Sequence, residues 1–231
     1  MAVLKWDQPN ERLYETGVKK GVLYVKKDKV GEDGNQYDAG VAWNGLISVT
    51  QSPSGAEASP LYANDIKYLE LMSNEEFGGT IEAYTYPDEF AKCNGEIEFA
   101  PGVKVSQQTR KAFGFCYRTT VGNDGAGDDY GYKLHIVYSA KAAPSEKAYS
   151  TVNDSPEAIT FSWEFTTTPE EIGKIEGLTA TFKPTSHIEI DSTTANPDNL
   201  QTLEDLLYGT ESAEASLPTP SKIYEIMSAG A

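Results

Sequence analysis

The sequence predicts a mainly β fold, a sandwich or barrel-like domain with one or two short flanking helices. Three observations carry this. Tyr132, Leu134, Ile136 and Tyr138 alternate with Lys133, His135, Ser139 and Lys141, with Val137 the one apolar residue on the polar side. Ile159, Phe161, Trp163 and Phe165 alternate with Thr160, Ser162, Glu164 and Thr166 without a break. Side chains in a strand point to opposite faces in turn, so each run has one face to bury and one to leave wet. The third observation is compositional: the chain has 14 Tyr, a residue suited to strands and to surfaces where one end of the ring meets water. The two alternating runs are expected to form a hairpin-like core from Tyr132 to Phe165.

In chain order, residues 1–20 hold Trp6, Leu13 and Tyr14 among charges and are expected to be an arm rather than a core strand. The main domain is then 21–209 and the tail 210–231. A short strand, Val22 to Val25, precedes the basic run Lys26, Lys27 and Lys29, and a polar Gly/Asp-rich loop, Gly31 to Gly40, leads into a strand from Trp43 to Thr50. A loop of that length is a candidate contact element. Ser52 to Pro60 is expected to be a linker, followed by strands over Ile66–Met72 and Thr80–Tyr86. Pro87 to Gly95 has the marks of a short helix: Pro first, Asp88 and Glu89 in the first turn, Lys92 in the last, Asn94-Gly95 as the stop, and Phe90 as its anchor. Further strands are expected over Ile97–Val105 and Phe113–Thr119, with Cys116 facing away from Phe113, Phe115 and Tyr117. After a second Gly/Asp-rich loop, Gly122 to Gly131, come the two alternating runs, then strands at Thr179–Lys183 and His187–Asp191. Asp198 to Gly209 is a helix with Asp198 as N-cap and Leu200, Leu203, Leu206 and Leu207 on one stripe. Pro218 and Pro220 argue against an early helix in the tail.

The net charge of −16 argues against gripping nucleic acid by its phosphates. Its distribution is uneven, net +3 over residues 1–30 and net −8 over 170–231, which permits head-to-tail attraction between copies. No apolar run approaches the ~18 residues of a membrane span, and Lys5, Asp7 and Glu11 interrupt any signal-peptide pattern. The expected product is soluble and made in the cytoplasm. Cys93 and Cys116 are too few and too isolated for a disulfide scaffold or zinc site and read as free thiols.

Catalytic chemistry has little to stand on. His135 and His187 belong to no metal or nucleophile motif, and there is no phosphate-cradling glycine loop or nucleophile elbow. Asp124, Asp128 and Asp129 do not have the ligand spacing of an EF-hand, and Glu32, Asp33 and Asp38 have the same shortcoming. No enzyme, cofactor or metal is expected.

Four strings carry a resemblance: Pro60 to Asp65 (PLYAND), Ile81 to Phe90 (IEAYTYPDEF), Lys141 to Lys147 (KAAPSEK) and Asn153 to Ile159 (NDSPEAI). They resemble the major tail proteins of long, flexible-tailed bacteriophages and related prophages of Gram-positive bacteria. Leu203 to Gly209 (LEDLLYG) followed by Leu217 to Pro220 (LPTP) is similar to that family's C-terminal end, so the likeness runs from about Gly21 to Ile226. The resemblance implies a virion tail-tube subunit, folded as a β-sandwich with a flanking helix. It implies hexameric rings stacked into a hollow tube through which DNA passes at ejection without specific binding, with tape-measure and tail terminator or tip proteins as partners. An acidic wall would repel phosphates and let DNA slide.

Within that reading, the polar strand faces are expected to line the lumen, with Glu82 and Glu164 as candidates. The arm and the Gly31–Gly40 loop are the expected inter-ring contacts, through Trp6, Lys26, Lys27, Glu32, Asp33 and Asp38. A carbohydrate- or receptor-binding β-sandwich is the competing reading, with aromatics as its platform. Most aromatics here sit in alternating runs that read as core.

Overall fold

The computed structural model describes residues 3–30, 35–152, 154, 157–173 and 182–230. The first strand, β1 (Leu13–Val25), is followed by β2 (Val41–Ala42) and β3 (Leu46–Gln51). Next come β4 (Ser54–Gly55), β5 (Ala58–Ala63), β6 (Ile66–Met72), β7 (Glu75–Glu76) and β8 (Gly78–Ala83). A 3-10 helix at Asp88–Lys92 separates these from β9 (Ile97–Ala100), β10 (Val103–Val105), β11 (Phe113–Asn123) and β12 (Gly127–Ala142). The chain closes with β13 (Phe161–Thr167), β14 (His187–Asp191), α1 (Pro197–Tyr208) and α2 (Pro220–Met227). The mainly β fold with short flanking helices is therefore what the chain adopts.

One large antiparallel sheet organises the chain, in the order β2-β1-β11-β12-β13-β8-β3, with β14 also paired to β12. The sheet curls until residues 41–51 bridge its two edges. Val41 and Ala42 pair with β1, the Trp43 N–H donates to the Gly21 carbonyl at 2.8 Å, and β3 then pairs with β8. The barrel does not close beyond this corner. The concave side packs Leu23, Phe113, Phe115, Val137, Ile81, Trp163 and Phe165 around Trp43 and Phe90. The convex side, built by Tyr24, Cys116, Leu134, Ile136 and Tyr138, is covered by Leu200, Leu203 and Leu207 of α1, Leu217, and Ile223 of α2. Cys93 and Cys116 lie in opposite layers as buried free thiols, and burial pushes both up to about 12.

Several expectations are corrected. β1 begins at Leu13, not Val22: Leu13–Thr16 pair with Thr120–Asn123. Two register shifts between Thr16 and Val22, with positive φ at Gly17 and Lys20, break the alternation that would betray the strand. The expected loop Gly122–Gly131 shrinks to a tip, since β11 runs to Asn123 and β12 starts at Gly127. Ile97–Val105 is a two-stranded ribbon and not one strand. The pair Tyr132–Phe165 is less of a hairpin than expected. β12 joins β13 only through Ala140–Ala142, and its longer pairings are with β11 and β14. The late strand Thr179–Lys183 lies largely outside the described residues, and Phe182 and Lys183 are not in a strand.

Both helices start at a proline, with the capping residue one position before it. Asn196, not Asp198, caps α1, its side chain accepting from the Asp198 and Asn199 N–H groups, with Pro197 at the first position. Likewise Thr219 caps α2 and Pro220 opens it, so the tail ends in a helix that buries Ile223 against α1. Phe90 anchors the 3-10 turn as expected, fully buried against Trp43 and Trp163.

Candidate assembly surfaces

Glu82 and Glu164 come together on one polar face. In β8 and β13 the alternation sends Ile81, Ala83, Trp163 and Phe165 to the core, leaving Glu82 opposite Ser162 and Glu164 opposite Thr80 on the reverse side. Ser48 of β3 adds a hydroxyl that donates to Glu82 at 2.8 Å. Neither helix covers this face: α1 and α2 pack on the β1, β11, β12 and β14 side. It is a hydroxyl-rich acidic wall of three strands.

The same strands continue out of the sheet. β3, β4 and β5 run out and β6, β7 and β8 return, paired from Leu46↔Ala83 through Gly55↔Glu75 to Ala63↔Ile66. The turn is Asn64-Asp65, with φ 51° and 62°, the both-positive geometry of a tight two-residue hairpin. The outer half projects from the subunit. Leu61, Leu69 and Leu71 share one exposed face, and Tyr62, Ile66 and Tyr68 surround the tip, the two tyrosines 71% and 70% exposed. An isolated two-stranded ribbon is marginal in water, and apolar surface on this scale marks a contact. Reading Ser52–Pro60 as a linker hid this element. The apolar residues on either side of Asn64-Asp65 were the available signal.

The inter-ring candidates divide between the two ends of β1. Trp6 is 73% exposed on an arm held against the β11–β12 tip, where the Asn123 side chain donates to the Asn10 carbonyl at 3.1 Å. Lys26 sits beyond the other end, about 35 Å away, since the register shifts make β1 span only the 11 residues of β11. It is bound within the subunit, its ammonium 2.8 Å from Glu170, which also accepts from Tyr37 and Ser139 at 2.6 Å each. Burial alone would raise the Glu170 carboxyl, but these donors hold it below its usual range. Lys27 and Asp38 pair through their backbones across the base of the loop, to Gln36 and Val25. Glu32 and Asp33 lie outside the described residues.

Both histidines are packed rather than displayed. Phe115, Tyr117, His135, His187 and Phe77 form a column of near-parallel rings from the core to the root of the projecting ribbon. Glu15, Glu189 and Lys133 surround His135, and Gln51 and Thr119 reach its ring nitrogens. Burial pushes His187 down to about 4 and lowers His135 despite its two glutamates. An unfolded histidine protonates near 6.5, so below that pH the unfolded chain binds the extra proton and folding weakens. Thermal stability is therefore expected to be flat above pH 6.5 and to fall by on the order of 2 kcal/mol between pH 6.5 and 4 through this column. His187→Phe should flatten that part of a melting-temperature profile; an unchanged acid limb would contradict the assignment.

The chain matches no protein-family profile, and no curated protein matches it. Among solved structures, a chain of the PVC sheath-tube complex of an extracellular contractile injection system, in its extended state, is similar over 81% of this chain and 94% of its own length. The identity is 12% and the TM-score 0.30, so the description of the fold rests on the sheet itself. Among the described residues, no helix is long and apolar enough to cross a membrane and no cluster of metal-ligating side chains occurs.

Proposed function

We propose that this chain is a structural, non-enzymatic virion protein, the subunit of a phage tail tube. Six copies form a ring, rings stack, and DNA traverses the bore without specific binding. Tape-measure and terminator or tip proteins meet the tube along its bore and at its ends. The observation that carries the reading is the continuous β3–β8 ribbon. Its inner half presents Glu82, which shares the acidic wall with Glu164 of the neighbouring β13, and its outer half projects an apolar surface left exposed among the described residues. The sequence strings that resemble major tail proteins point the same way. A ligand-binding module would gather its aromatics in a concavity, whereas Tyr62, Tyr68 and Phe99 stand on projecting ribbons.

Purified protein examined by negative-stain microscopy and light scattering over a concentration series is expected to show rings or hollow tubes of constant width. Monomers at every concentration, with and without tail-tip complex, would overturn the proposal. Within assembled tubes, Glu82→Lys combined with Glu164→Lys is expected to leave tube formation intact and to slow or trap DNA by giving the wall phosphate ligands. Ejection at the normal rate would remove these two residues from the lumen.

A further inference from the structure

The subunit carries a second exposed apolar ribbon, at the opposite end of the same strands. β8 runs from the root of the projecting β5–β6 ribbon at Gly78 to Ala83, and the chain passes through the 3-10 helix directly into β9 and β10. In that ribbon Ile97 pairs with Val105 and Glu98 with Lys104; a register shift then sets Val103 against Ala100 and leaves Phe99 as the extra residue, so Ile97, Val103 and Val105 share one face with Phe99 at the bulge beside them. That face is open to solvent, with Phe99 81% exposed, while on the other face Lys104 is paired to Asp88 at 2.8 Å, tying the ribbon to the 3-10 helix. Two apolar ribbons thus mark the two ends of the subunit, each too small to be stable bare.

Charge distinguishes these ends. Segments 57–76 and 124–129, at the β5–β6 end, carry eight acidic residues and one lysine. Segments 27–29, 88–111 and 141–147, at the β9–β10 end, carry eight basic residues and six acidic ones. Two copies with like ends together set acid against acid, whereas unlike ends attract. Attraction of unlike ends is a heterologous contact, which repeats along an axis instead of closing in a dimer.

Resting on the tail-tube reading, we propose that the occupant of the β9–β10 face is a second copy of this chain. Its β5–β6 ribbon lays Leu61, Leu69 and Leu71 on Ile97, Phe99, Val103 and Val105 of the first. The two ribbons form one small two-layered sandwich across the junction, with sheet faces about 10 Å apart. The same contact repeats at every level of the stack.

The test mixes two variants that each carry one added cysteine, Leu69→Cys and Phe99→Cys. The native thiols are buried, so the new ones report alone. Under mild oxidation the mixture is expected to yield a covalent dimer of one copy of each, absent from either variant by itself. Phe99→Asp is expected to reduce assembled material about tenfold or more, and Phe182→Asp, an exposed aromatic outside both ribbons, to leave it unchanged. Tubes that form normally with Phe99→Asp and give no mixed crosslink would overturn this contact and leave the tube reading standing. Monomers without crosslinks under every condition would overturn both.

Discussion

Glu204→Ala is expected to destabilise the protein by about 3–5 kcal/mol. Arg118 of β11 and Glu204 of α1 form an ion pair between the sheet and the helix, both side chains close to nine-tenths buried. The guanidinium lies 4.1 Å from the Tyr132 ring centroid and 5.1 Å from that of Tyr208, while the Tyr132 hydroxyl donates to Glu204 at 2.7 Å. Removing the carboxylate leaves a desolvated cation with no counter-charge. At this chain length each kcal/mol moves the melting temperature by about 2–4 °C, so calorimetry should register a drop of roughly 10 °C. Arg118→Met together with Glu204→Leu is expected to recover most of the loss, because an apolar pair of similar volume has no desolvation to offset. A single Glu204→Ala variant that melts with the wild type would show that water reaches the pair.

What the sequence reveals follows from how local each signal is. The leucine stripe of α1 and the alternation of β13 are local, and both elements appear, although the strand begins at Phe161 instead of Ile159 and Leu206 of the stripe is only half-buried. Helix α2 was hidden because Pro218 and Pro220 read as breakers, although proline at the first helical position costs no hydrogen bond. The early half of β1 was hidden by bulges that its partner β11 accommodates and that no local pattern announces. Partner choice is the least local property of all. β12 and β13 are the two best strands in the sequence, yet the curl of the sheet leaves them only a short pairing. For the candidate site, alternation alone puts Glu82 and Glu164 opposite Ile81 and Trp163, so their shared wall was legible. The basic run was not: a lysine in a polar loop looks free until Glu170, 144 residues later, is folded against it.

Trp163→Ala is expected to cost about 3–5 kcal/mol, by loss of burial and by the cavity left behind. The indole is wholly buried and meets Trp43, Tyr86 and Phe90 edge-on, with ring centroids 5.8, 5.3 and 5.0 Å away. No smaller neighbour can fill the gap, since these rings belong to three different segments held by their own contacts. Trp163→Phe discriminates burial from hydrogen bonding. The indole N–H has no hydrogen-bond partner among the described residues, so phenylalanine removes an unsatisfied donor along with part of the packing and should cost about 1–2 kcal/mol less than alanine. Urea unfolding of the two variants reads this difference directly. The consequence reaches the assembly surface: Trp163 pairs with Ile81 on the core side of the strands whose reverse carries Glu82 and Glu164. On the tail-tube proposal, Trp163→Ala is therefore expected to impair assembly at elevated temperature before it unfolds the convex, helix-covered layer. Hydrogen exchange should rise first in β8 and β13, and uniform protection loss across both layers would instead show that the two cores unfold as one unit.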